Sequence, residues 1–137
     1  MRLQLLVVAF VLPTACSAIR GHSTATPPSA RAVGAFAAKL ALTGRSTYTG
    51  ALHLEATTRD SLRGSLHLTS PVNVDAVVSG VVRRDSLMLT GSYTAANGCA
   101  GELRASLAMP TDHAGDGPFQ LADKCAGTLS GIMTVTR

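Results

Sequence analysis

Apolar and polar residues alternate along most of this chain with the period of a β-strand. In the segment 77–93 (VVSGVVRRDSLMLTGSY), apolar residues or glycine occupy every second position on both sides of the polar break at 84–86. This alternation predicts two antiparallel strands joined by a turn. The pattern returns along the chain, so it predicts a fold made almost entirely of strands.

A short phrase, in which a glycine lies two positions from an apolar residue on either side, recurs at 48–52, 62–66, 78–82, 89–93, 99–103 and 129–133. The pattern predicts strands at about 35–43, 47–57, 61–69, 75–83, 86–94, 99–108, 117–122 and 126–136. The short connections favour an antiparallel meander. Because open sheet edges must be protected and eight strands can close on themselves, the sequence predicts an all-β, up-and-down barrel over 34–137.

The inward face predicted by the alternation is almost entirely hydrocarbon. It comprises Leu40, Leu42, Tyr48, Leu52, Leu54, Leu62, Leu66, Leu68, Val78, Val82, Leu87, Leu89, Tyr93, Leu103, Leu107, Phe119, Leu121, Leu129, Met133 and Val135. A cavity among them would be apolar, with two tyrosine hydroxyls as polar anchors, which suits a small molecule. The candidate ligand contacts are Tyr48, Leu52, Leu66, Leu89, Tyr93, Leu103 and Met133. The alternative is that these side chains simply fill the barrel.

The first residues have the form of a processing signal. Met1 and Arg2 precede an apolar run, 3–12, that is too short to span a membrane as a helix. The following residues, 12–16 (LPTAC), resemble the lipobox of bacterial lipoproteins. That resemblance implies a signal peptide over 1–15, cleavage before Cys16, a lipid on Cys16 and a place in the bacterial cell envelope. Cleavage after Ala18 and plain secretion is the alternative. The residues 16–33, rich in Ser, Thr, Ala and Pro, predict a flexible tether.

The turn residues and the cysteines predict which residues lie together at one end of the barrel. Keeping the alternation in phase across 93–103 requires a three-residue loop, 96–98, with Gly98 left-handed. Cys99 and Cys125 are expected to open the sixth and eighth strands and so to lie at the same end. An oxidising compartment favours a disulfide between them, provided that the seventh strand stops short. Two buried thiols are the alternative.

Charge and composition exclude some function classes. The chain has 12 basic and 8 acidic residues, no Trp, two Tyr and three Phe. Charges scattered along strands and a shortage of aromatic platforms argue against nucleic-acid binding. No nucleophile elbow, phosphate-binding loop or dinucleotide fingerprint occurs. We therefore expect no enzyme and no cofactor.

One outward-facing cluster has the residue types of a metal site. With the second hairpin loop placed at 59–61, His53 would lie opposite His67, with Glu55 beside it, and paired imidazoles suit zinc. A solvated strand face explains the same residues, so we expect no metal there.

The predicted architecture resembles the calycin-like barrels, the group that contains avidins and lipocalins, over about 36–137. The resemblance rests on strand number and on the glycine phrase. Together with the lipobox and the absence of a catalytic motif, it leads us to expect a monomeric, non-enzymatic envelope lipoprotein that binds a small apolar ligand or lipid inside the barrel, with membrane contact through the lipid anchor alone. The alternative is a filled barrel whose loops or outer face bind another envelope protein, in an inhibitory or assembly role.

Overall fold

The computed structural model describes residues 26–137 and contains eight strands and one 3₁₀ helix. The 3₁₀ helix is Pro28–Ala32, and the strands are β1 (Gly34–Leu42), β2 (Thr47–Ala56), β3 (Ser61–Ser70), β4 (Val74–Arg83), β5 (Ser86–Ala95), β6 (Ala100–Ala108), β7 (Ala114–Asp123) and β8 (Gly127–Thr136). Each strand pairs antiparallel with the next, and β8 pairs with β1 to close the barrel. The predicted fold class is confirmed. Strand ends agree to within one residue, except that β7 begins three residues earlier than predicted.

The core lies where the alternation places it. All of the predicted inward residues are buried, apart from Tyr48, Leu121 and Leu129, which are half-buried and pack against the core. The outward face is mostly polar, although Val77 is 75% exposed. Burial of alternate leucines against neighbouring strands therefore provides the main driving force for closure.

Glycines allow the backbones of neighbouring strands to approach closely. At Gly64 an added Cβ would lie 1.8 Å from the carbonyl oxygen of His53, and at Gly117 it would lie 1.9 Å from that of Ser106. No side chain fits at such distances, so any other residue would force the strands apart. Five glycines of the phrase, Gly50, Gly64, Gly91, Gly101 and Gly131, would place a Cβ within 2.3 Å of a backbone carbonyl oxygen, so the phrase marks close approaches between strands.

The 3₁₀ helix covers one end of the barrel. Ser29 is buried there; its amide donates to the carbonyl of Arg59, and its hydroxyl donates to that of Thr58. Arg31 forms an ion pair with Asp85, with 2.9 Å between Nη1 and Oδ1. The last residues of the predicted flexible tether are therefore packed against the barrel. They fold because Ser29 and Ala32 bury surface that closes its end.

The predicted signal peptide (1–15), the lipidation candidate Cys16 and the tether up to residue 25 lie outside the described residues. Within 26–137, no helix has the length and apolarity needed to cross a membrane.

Candidate functional site

A cavity of about 300 Å³ occupies the end of the barrel opposite the 3₁₀ helix. This open end carries the connections 43–46, 71–73, 96–99 and 124–126. Its wall is mainly aliphatic and includes Leu40, Leu42, Leu66, Leu68, Val74, Ala76, Leu103, Leu121 and Leu129. The volume is at the lower end of the range for small-molecule sites.

Side-chain size explains why the space lies at this end. Near the closed end, the interior is filled by bulky residues: Phe36, Leu54, Leu62, Leu87 and Leu107. Near the open end, the smaller residues Val74, Ala76 and Ala95 face the cavity. The barrel is therefore filled at one end and hollow at the other, which lies between the two alternatives left open by the sequence.

The seven ligand contacts predicted from the sequence divide into two groups. Tyr48, Leu66, Tyr93 and Leu103 line the cavity. Leu52, Leu89 and Met133 do not line it, because they are fully buried within the packed core. Alternation identifies the inward face but not the level at which packing ends. The small residue Ala76 is the sequence signal that could have located the space.

Tyr93 and Asp123 form a polar pair on the cavity wall that sequence reasoning missed. The Tyr93 hydroxyl donates to Oδ2 of Asp123 at 2.5 Å, and the tyrosine is only 7% exposed. Tyr93 lies across Gly101, its partner in β6, where an added Cβ would come within 2.7 Å of the hydroxyl. A glycine in β6 therefore provides the room in which the phenol reaches β7.

Each member of the pair stabilises a definite protonation state of the other. Burial, the hydrogen bond to Asp123 and the charge of that carboxylate raise the pKa of Tyr93 well above its ordinary value of 10.0. The hydrogen bond from Tyr93, the amides of Ala126 and Cys125 and the charge of Arg45 lower the pKa of Asp123 below its ordinary value of 3.8, although partial burial opposes them. At neutral pH the cavity wall thus holds a neutral phenol and a charged carboxylate.

A disulfide joins Cys99 to Cys125 beside this pair, as predicted, but not across two strands. The β6–β7 register pairs Gly101 with Asp123, and two residues further on the same register brings Cys99 opposite Cys125. Their Cα atoms are 5.7 Å apart. The expectation that Cys125 opens the eighth strand was wrong, and β7 does not stop short. Cys125 instead continues the line of β7 into the turn before β8, where its sulfur meets that of Cys99.

The remaining polar groups lie at the rim of the cavity. Arg45 and Asn97 are exposed, and Tyr48 is half-buried. Asn97 accepts the amide of Cys99 through Oδ1 at 3.0 Å, within the three-residue loop 96–98. The left-handed Gly98 of that loop has φ 85°, so the predicted turn is confirmed. Rim groups of this kind can exchange contacts with water, whereas Tyr93 is shielded from it.

The histidine cluster on the outer face differs from its expected register. His53 lies opposite Ser65, and Ala51 lies opposite His67. The reason is that Thr57 pairs with Ser61, which places the hairpin loop one residue earlier than expected.

The displaced histidines each contact a separate carboxylate. His53 contacts Glu55 at 3.5 Å, while His67 contacts Asp75 on β4. His53, Glu55 and His67 therefore do not form one cluster. Among residues 26–137, the group with ligand atoms close enough for a metal is Cys99, Asp123 and Cys125, whose sulfurs are bonded to each other.

No protein-family model and no curated protein matches the chain. Solved structures do resemble it. EF1p2_mFAP2b bound to DFHBI aligns with a TM-score of 0.64 and 11% identity, over 82% of this chain and 98% of that chain. The redesigned β-barrel b11L5F_LGL gives 0.61 and 10% over 84% and 98%, and the redesigned β-barrel mFAP1, bound to DFHBI, gives 0.58 and 10% over 81% and 99%. At these identities the likeness shows the fold alone, an eight-stranded antiparallel barrel.

Proposed function

We propose that this protein binds a small apolar ligand in the cavity at the open end of its barrel, as a monomer and without catalysing a reaction. The observation that carries the proposal is an aliphatic cavity of about 300 Å³ in an otherwise packed core. An apolar hollow leaves side chains without packing partners and would be stabilised by an occupant. Two of the similar barrels are described as bound to DFHBI, which supports ligand binding by this architecture.

We further propose that the barrel acts in the bacterial cell envelope, anchored by a lipid on Cys16. The support is the resemblance of 12–16 to a lipobox, together with a disulfide, which is a feature of oxidising compartments. Mass analysis of the purified protein would detect the lipid, and a Cys16→Ser substitution should abolish it. A chain beginning at Ile19, without lipid, would instead support secretion.

The test of ligand binding is native mass spectrometry of the protein purified from its own membrane fraction, before and after denaturation. We expect a stoichiometric extra mass that is lost when the barrel unfolds. A bare mass in the native state would favour the alternative, in which the loops or outer face recognise another envelope protein.

A pair of matched variants locates the ligand. Ala76→Leu adds three carbon atoms to the cavity wall, whereas Ala51→Leu adds the same atoms to the outward face of β2. The larger side chain occupies part of the space that the ligand needs, and a clash of this size costs about 1–3 kcal/mol, so Ala76→Leu should weaken ligand retention about tenfold or more. Ala51→Leu should leave it unchanged. Equal retention by both variants would place the ligand outside the cavity.

A further inference from the structure

The cavity wall has a charge asymmetry that bears on the kind of ligand it accepts. Among its lining residues the one buried polar side chain is Tyr93, which bonds to the half-buried Asp123, and the rest of the deep wall is aliphatic. Hydrogen-bond donors and acceptors that face an apolar cavity decide which polar ligand group can be buried there.

The donors of this pair are already used. The Tyr93 proton is committed to Oδ2 of Asp123 at 2.5 Å. Oδ1 accepts the amides of Cys125 at 2.8 Å and Ala126 at 2.9 Å. What the pair still offers a ligand is therefore acceptor capacity, on the phenolic oxygen and on the carboxylate.

The charge acts in the same direction as the hydrogen bonding. Asp123 is held in its ionised form, so an anionic ligand group beside it would meet a like charge in a partly desolvated place. Arg45 is the nearby cation, but it is exposed at the rim, and no ion pair within 4.0 Å joins it to Asp123 in the described structure. Its charge is screened by water more strongly than that of Asp123, which is less exposed.

Taking the proposed function as its basis, we propose that the cavity selects apolar molecules that carry one hydrogen-bond donor, a hydroxyl or an amine, and disfavours carboxylates of the same skeleton. The donor group binds at the Tyr93 and Asp123 oxygens, and the hydrocarbon body lies against Leu66, Leu103 and Leu121. The pair thus acts as the specificity element, while the aliphatic wall supplies affinity.

Three ligands with one skeleton test this proposal. Naphthalene, 2-naphthol and 2-naphthoate differ only in the group offered to the pair, and calorimetric titration of the full chain at pH 7.5 gives a dissociation constant for each. A hydrogen bond to a charged acceptor should make 2-naphthol bind about tenfold more tightly than naphthalene. We expect 2-naphthoate to bind at least tenfold more weakly than 2-naphthol.

A variant without the charge of Asp123 provides a second test. Asp123→Asn retains Oδ1 as an acceptor for the turn amides, removes the negative charge and replaces the Oδ2 acceptor by an NH2 donor. It should strengthen 2-naphthoate binding and weaken 2-naphthol binding, each by about tenfold, whereas a general structural defect would weaken all three ligands. Asp116→Asn makes the same change on the exposed face of β7 and should leave the order unchanged.

The outcomes separate this inference from the proposed function. If none of the three ligands binds the native chain, the proposed function fails together with the inference that rests on it. If naphthalene binds but 2-naphthoate equals or exceeds 2-naphthol, the cavity is a ligand site and the selectivity is wrong. An order that survives Asp123→Asn would also overturn the role assigned to the pair.

Discussion

Removing the Tyr93 hydroxyl tests whether the polar pair at the cavity wall stabilises the fold. Tyr93→Phe retains the aromatic ring against Gly101 and deletes the hydrogen bond to Asp123. A hydrogen bond to a charged partner contributes about 1.5–3 kcal/mol, and the half-buried position of Asp123 favours the lower end. We therefore expect the free energy of unfolding to fall by about 1.5 kcal/mol at pH 7.

The pH dependence identifies the source of that loss. Because the hydrogen bond lowers the pKa of Asp123, its stabilisation is present above the unfolded value of 3.8 and is lost as pH falls through the lower folded value. Because the pKa of Tyr93 is raised, its contribution is fully present below pH 10 and is lost as pH rises further. The stability difference between native protein and variant should therefore be largest near neutrality and should shrink on both sides.

Urea denaturation followed by far-ultraviolet circular dichroism measures this difference, since the chain has no tryptophan for a fluorescence assay. The chain provides a matched control, because Tyr48 is its one other tyrosine and has no side-chain hydrogen bond in the described structure. Tyr48→Phe should change stability by less than about 0.5 kcal/mol. A Tyr93→Phe loss that is the same at pH 7 and pH 2.5 would refute the ionic hydrogen bond as its cause.

Two further stability predictions concern the close approach of strands at Gly64 and the disulfide. Gly64→Ala should cost about 2 kcal/mol or more in urea denaturation, because its Cβ would overlap the His53 carbonyl; Ser65→Ala on the outer face is the control, and equal losses would contradict the close approach. Reducing Cys99–Cys125, which spans 26 residues, should cost about 3.5 kcal/mol. The double alanine variant at these cysteines should show the same loss and no response to reductant, and a native chain unaffected by reductant would refute the estimate.

The alternation of side chains determined the fold from the sequence because every second residue must be buried in a closed barrel. The left-handed residue at 98 was also readable, because alternation requires an odd loop length and Gly98 occupies the left-handed position of a three-residue loop. The cross-strand partners of His53 and His67 could not be derived in the same way. A hairpin loop displaced by one residue shifts the pairing by two, which preserves the faces and changes every cross-strand neighbour. The apolar–polar alternation is the same before and after such a shift, so it cannot identify the cross-strand neighbours.

The candidate site depended on information that alternation does not contain. Whether a leucine fills the barrel or lines a hollow depends on the residues level with it on other strands, and Ala76 leaves space there that no single-strand pattern reveals. Asp123 was missed for a related reason. A lone acidic residue near a turn is usually solvated, and only the register that brings β5, β6 and β7 together places it against Tyr93.

Asp123 has three structural roles. One carboxylate oxygen accepts the amide of Cys125 in the turn, the other accepts the Tyr93 hydroxyl, and Asp123 also lines the cavity. Gly101 makes the arrangement possible, since a side chain there would displace the phenol. The disulfide joins the two strand ends that flank this position. A change of charge at Asp123 should therefore alter ligand selectivity and local turn stability together, whereas equivalent changes elsewhere on β7 should alter neither. This coupling is the reason that the selectivity test uses asparagine, which can keep one acceptor oxygen for the turn amides while an NH2 group replaces the charged oxygen that accepts the Tyr93 hydroxyl.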